Sequence, residues 1–171
     1  MNAETRRKKI VEHLSRSAAP VSATVLAGNY SVSRQVIVGD IALLRASGVD
    51  ITATPRGYVL TGERSGTTHT VAVRHSMDQT EQELCMFVDN GCVVEDVIVE
   101  HNIYGQLIGQ LQLSSRYDVG QFIEQLNSGS ASVLSSLTDG IHLHTLRCPD
   151  EAAFTRACNA LRAAGFLLEN E

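Results

Sequence analysis

Cysteine is scarce in this sequence: there are four in 171 residues, and no two form a C-x-x-C pair. That is too few for a disulfide framework, so Cys85, Cys92, Cys148 and Cys158 read as reduced thiols. No apolar run approaches the ~18 residues that a membrane span needs. The opening MNAETRRKKIVEHL also lacks the apolar segment that a secretory signal carries after its basic residues. A cytoplasmic location without a membrane partner is therefore expected. G-x-G-x-x-G, P-loop and G-x-S-x-G patterns are all missing, which removes the usual nucleotide-binding and serine-hydrolase signatures. With 43% hydrophobic and 19% charged residues, the composition still suffices to bury a core.

The net charge of −5 conceals an asymmetry. Residues 1–64 hold nine Lys and Arg against five Asp and Glu, whereas residues 65–171 hold five against fourteen, giving +4 and −9. A basic module joined to an acidic one points to a polyanion partner for the first. The Gly/Ser/Thr-rich stretch TGERSGTTHT separates them. The expected division is a DNA-binding domain over residues 1–62, a linker over 63–69 and a second domain over 70–171.

In the basic module, Ile10, Val11 and Leu14 predict a first helix over Arg6–Leu14. Ser22 can cap a second helix through Ala27, with Gly28-Asn29 as its stop. Ser33 can cap a third, with Val36, Ile37, Ile41 and Leu44 as one apolar stripe and Gly48 just past its end. VDITATPRGYVL then reads as two short strands joined by Thr54-Pro55-Arg56-Gly57, the composition of a type I turn. Three helices and a hairpin make a winged helix-turn-helix. In such a module the third helix enters the major groove of double-stranded DNA. Arg34 and Gln35 suit guanine and adenine edges, while Ser31, Ser33 and Arg56 suit phosphates or the minor groove.

The acidic module reads as strand 70–75, helix 78–90, strands 92–101 and 106–113, helix 118–127, strand 140–147, helix 150–164 and a final strand 166–169. This is an α+β domain with a mixed or antiparallel sheet, close to the ferredoxin-like β-α-β-β-α-β order. Five of the six histidines lie in this half, His69 in the linker included. His142 and His144 are i and i+2 on one strand, so they share a face with Cα atoms roughly 6.6 Å apart and can converge on one metal ion. His75 ends a strand leading into the helix of Glu81 and Glu83, either of which can add a carboxylate. Imidazole and carboxylate ligands suit zinc, nickel or iron rather than calcium or magnesium. By spacing alone, a strand face with two solvated histidines accounts for the pair equally well. Glu81, Glu95 or Glu100 beside a metal-bound water would make a small hydrolase, so an enzyme is one competing expectation and a metal-responsive repressor another.

SVSRQVIVGDIALLR, TATPRGYVL, VAVRH, VEDVIVEH-x-x-YG and IHLHT, in that order over nearly the whole chain, closely resemble the niacin-responsive transcriptional repressors, a winged helix joined to a three-histidine (3H) domain. The resemblance implies a non-enzymatic, homodimeric repressor of NAD biosynthesis, salvage or niacin transport genes with nicotinic acid as co-repressor. It implies one transition metal ion per subunit, held by His75, Glu83, His142 and His144; Glu83 is chosen over Glu81 by the family spacing alone. His101 matches the remaining histidine of the pattern, expected to line the effector pocket or to orient a ligand. A cation must meet the nicotinate carboxylate, and Arg74, Arg116 and Arg147 are the candidates.

Overall fold

A computed structural model describes residues 1–62, 65–129 and 133–169. They fall into two compact units, Met1–Arg64 and Ser65–Glu171. In the first, the Asn2 side chain accepts from the Thr5 amide at 2.8 Å and starts α1 (Ala3–Arg16) three residues ahead of the expected helix. Ser22 caps α2 (Ala23–Tyr30) as expected, but Gly28-Asn29 does not stop it. The helix runs on and ends at Ser31, whose φ of 55° is left-handed and lets the Val32 amide return to the Ala27 carbonyl. A glycine near a helix end costs only about 1 kcal/mol, which this closure offsets. Ser33 caps α3 (Arg34–Ala46). Ile37, Ile41 and Leu44 are buried there against Ile10, Leu14 and Leu26, while Val36 is exposed and drops out of the expected stripe. The hairpin of β1 (Ile51–Thr54) and β2 (Gly57–Leu60) is held to the helices by a bridge between Val21 and Tyr58. Buried Asp40 on α3 takes Arg6 at 2.6 Å and Arg7 at 3.5 Å, so two of the basic residues clamp α1 to α3.

The second unit contains β3 (Thr67–Arg74), α4 (Thr80–Asp89), β4 (Val93–His101), β5 (Gly105–Leu113), α5 (Arg116–Ser128), β6 (Ile141–Cys148) and α6 (Glu151–Ala164). Thr67–His69, expected in the linker, already belong to the sheet; Glu63 and Arg64 lie outside the described residues. The strand order β3-β6-β4-β5 is antiparallel throughout. The sequence order matches the expectation, and β6 inserts between β3 and β4 to split the first β-α-β. The final strand expected at 166–169 reduces to one bridge, Val73 with Leu167. A 3-10 turn at Leu134–Thr138 was not expected. Val71, Val73, Val94, Leu113 and Leu146 of the sheet pack with Leu84, Phe87, Val119, Ala157 and Leu161 of the helices to form the core.

The expectation of four thiols fails for two. Cys92 and Cys148 are joined as a disulfide. Antiparallel pairing of Val93 with Arg147 sets the two side by side across a sequence separation of 56 residues, which no local motif reveals. Cys85 and Cys158 are free and half-buried.

Candidate functional site

On β6 burial alternates, so His142, His144, Leu146 and Cys148 all point to the helix-covered face. The β3–β6 register pairs Val71 with His144 and Val73 with His142. His75, two residues past Val73, therefore arrives beside His142 on the same face, the rings 4.9 Å apart. From above, α4 presents Glu83 with no exposed surface, next to Leu84 and Phe87. Glu81 is exposed on the outer side of that helix. Helix phase thus decides between the two carboxylates.

Glu83 Oε2 lies 2.7 Å from His75 Nε2 and 3.4 Å from His142 Nε2. Glu83 Oε1 lies 3.3 Å from both His142 Nε2 and His144 Nε2. Ligand atoms of His75, Glu83 and His142 all fall within 4.8 Å of one another, and His144 joins them through Oε1. Each ring is fixed from behind. Nδ1 of His75 donates to the Ser76 carbonyl at 2.8 Å, that of His142 to Gly140 at 2.9 Å, and that of His144 to Asp96 at 2.6 Å. A carbonyl only accepts, so the proton sits on Nδ1 and every Nε2 faces the carboxylate.

Neutral imidazoles in that tautomer would set three lone pairs against an anion, so the arrangement calls for positive charge at its centre. Without a metal ion, protons on His75 and His144 would supply it. Burial alone would lower the pKa of His75 and His144, but the charge of Glu83, with its hydrogen bond to His75, outweighs it and raises both. Burial alone would raise Glu83, yet the histidines, His144 foremost, hold it well below the usual carboxylate range. Glu83 Oε1 and His144 Nε2 face each other at 3.3 Å, buried and without a hydrogen-bond partner among the described residues. Two orphaned donor atoms facing one centre, with imidazole nitrogens and one carboxylate around it, fit a transition metal ion.

Two further residues shape the site, and sequence reasoning missed both. Asp96 sits in a β-bulge of β4, where the pairing with β6 takes one extra residue of β4 between Val94 and Ile98, and there its carbonyl meets the His144 ring. Its side chain also accepts from the Thr145 amide at 3.0 Å. Gly140, at φ 82°, lies so close to His75 that a Cβ would overlap the His75 carbonyl oxygen. Asp139-Gly140 ahead of a strand was the available signal; the bulge has none.

His101 does not orient any of the three histidines, all of which are held by backbone carbonyls. Its Nδ1 accepts from the amides of Ile103 and Tyr104 at 3.1 and 3.3 Å and closes the β4–β5 turn. His69 stacks on Phe154 at 3.9 Å, away from the cluster. Of the other carboxylates weighed as a hydrolytic base, Glu95 pairs with Arg147 at 3.1 Å and Glu100 is exposed. A cleft of about 400 Å³ opens next to His75, lined by Arg74, His75, Ser76, Ser135, Ser136 and Gly140 among others. Arg116 is engaged by Asp89 at 2.7 Å and Arg147 by Glu95, which leaves Arg74 as the candidate cation at the cleft.

In the first unit Arg34 and Gln35 are exposed in the first turn of α3, behind the capping Ser33, and Ser31 is exposed beside them. Arg56 lies in the turn between β1 and β2 and is half-buried.

Comparison with known proteins agrees with both units. A helix-turn-helix domain model matches residues 6–59 and a 3H domain model matches residues 68–170. The chain is 46% identical to the probable transcription repressor NiaR of Thermotoga maritima over 97% of its own length and 95% of that protein. It is 43% identical to the transcription repressor NadR of Bacillus subtilis over 96% of its length and 94% of that protein. No helix among the described residues is long and apolar enough to cross a membrane. The chain belongs to the family of transcription repressors that its motifs resemble, in which a helix-turn-helix domain is joined to a 3H domain, and it is a DNA-binding regulator rather than an enzyme.

Proposed function

We propose that the protein acts in the cytoplasm as a homodimer that represses genes of NAD biosynthesis, salvage or niacin transport, with nicotinic acid as co-repressor. One zinc, nickel or iron ion per subunit would be held by His75, Glu83, His142 and His144. The observation that carries this reading is the orphaned pair Glu83 Oε1 and His144 Nε2 inside a buried ring of oriented imidazoles. Bound there, the ion would supply the positive charge that the carboxylate and the three Nε2 atoms face. The effector is assigned to the cleft beside His75, with Arg74 meeting its carboxylate. Arg34 and Gln35 would reach base edges, and Ser31, Ser33 and Arg56 the backbone or minor groove.

The linkage is reciprocal: a ligand that tightens DNA binding must itself bind more tightly to the DNA-bound protein. Fluorescence anisotropy of operator DNA, titrated with metal-loaded protein with nicotinate, nicotinamide or neither, tests the reading. Tighter binding with nicotinate alone is expected. Binding that depends on metal but ignores nicotinate would make the metal itself the signal. Replacing His142 and His144 together should abolish metal retention and the nicotinate response; a double variant holding metal at full stoichiometry would refute the ligand assignment.

A further inference from the structure

The two edges of the four-stranded sheet are treated differently. Along β3, the chain after α6 returns to cover the outer side: the Arg74 amide donates to the Phe166 carbonyl at 2.8 Å and the Leu168 amide to Ala72 at 2.9 Å. Along β5, the opposite edge, no strand or bridge other than β4 pairs among the described residues. An exposed edge is a row of unpaired amides and carbonyls, and proteins that do not use it blunt it with lysine, proline or other charge. From Gly105 to Leu113 the sequence GQLIGQLQL contains none of these, and the one irregularity of β5, an extra residue opposite Glu95 with Gln112 at φ 54°, lies at its far end and leaves Gly105–Gln110 in regular register. Gln106, Ile108 and Gln110 are exposed along it, and Ile103 and Tyr104 extend the apolar surface around the hairpin tip, being 79% and 72% exposed.

We infer that β5 pairs antiparallel with β5 of a second copy of this chain, joining two sheets into one of eight strands across a two-fold axis. An antiparallel edge is self-complementary under such an axis, because each strand offers its partner the same pattern of donors and acceptors. Charge selects the same place. Residues 65–171 carry a net −9, which repels a second copy over most of their surface, while β5 has no charged side chain to oppose its twin. The inference rests on the homodimer reading above and says which face makes the dimer.

The test is the mass of the full-length protein in solution by light scattering. The wild type is expected at twice 18.5 kDa. Ile108→Lys with Gln110→Lys sets ammonium groups near their counterparts across the axis and is expected to run as the monomer, with at least a tenfold weaker dimer and an unchanged far-ultraviolet circular dichroism spectrum. A wild-type monomer would overturn the homodimer reading itself; a dimer that persists in the lysine variant would overturn only the β5 assignment. Single cysteines at Gln106, Ile108 and Gln110 cover the case of a lysine variant that does not fold. At least one is expected to cross-link on mild oxidation beyond the wild-type background, and failure of all three refutes the pairing.

Discussion

Gly140→Ala tests how the site is built, because two glycines of the 3H domain have nearly the same backbone and opposite surroundings. Gly140 has φ 82° and Gly165, at the end of α6, has φ 75°. An alanine at either must adopt the left-handed conformation, at a cost of roughly 1 kcal/mol. At Gly165 none of the described residues lies within 4 Å of an added Cβ, so the expected loss stops there. At Gly140 the added Cβ would fall well inside 3.0 Å of the His75 carbonyl oxygen, and that neighbour is backbone that cannot swing aside. Strain of this kind brings the total to about 3 kcal/mol. The displaced turn carries the carbonyl that orients His142 and abuts the backbone of His75 itself, so metal affinity should also fall at least tenfold. Urea unfolding of the metal-stripped proteins and metal competition with a chromophoric chelator measure both effects. If Gly140→Ala is no more costly than Gly165→Ala and holds metal equally well, the close approach of Gly140 to His75 does not govern the site.

Arg34→Ala should cost about 1–3 kcal/mol of discrimination at one base position, read by competition with operators mutated base by base; an unchanged base preference refutes the recognition-helix assignment. Arg74→Ala should lose about 1.5–3 kcal/mol of nicotinate affinity by calorimetry, with nicotinamide binding and effector-free DNA binding unchanged; equal loss for both ligands refutes a carboxylate contact. The metal-free protein should show an acid-shifted stability optimum. Raised histidines stabilise fully below their ordinary 6.5 and lose this as pH rises through the folded value, and the depressed Glu83 stabilises above its ordinary 4.5. Urea unfolding in chelator should therefore give higher stability near pH 5.5 than at pH 8. Added metal, which binds deprotonated imidazole, should close that gap; a metal-free domain that is more stable at pH 8 refutes the charge assignment at the cluster.

Much of this protein is local and so was legible in one dimension. Ser22 and Ser33 cap the helices they were expected to cap, and His142 and His144 share a face because strand period alone requires it. The misreadings share a cause. Gly28-Asn29 failed as a stop because the closure at Ser31 and Val32 offset glycine's cost, and strand 166–169 shrank to a bridge. The choice of Glu83 over Glu81 came from likeness to a family, and its physical basis is the phase of α4 over the sheet.

The sequence by itself determined which residues could do chemistry, because residue type, period and capping are short-range properties of the chain. Only the tertiary structure decided which of them meet. The β3–β6 register brought His75 to His142, and the bulge of β4 against β6 brought the Asp96 carbonyl to His144. Strand order put Cys92 beside Cys148 and β5 at the edge of the sheet. Each of these depends on contacts between segments tens of residues apart, set by how strands pair and helices pack rather than by any neighbouring residue.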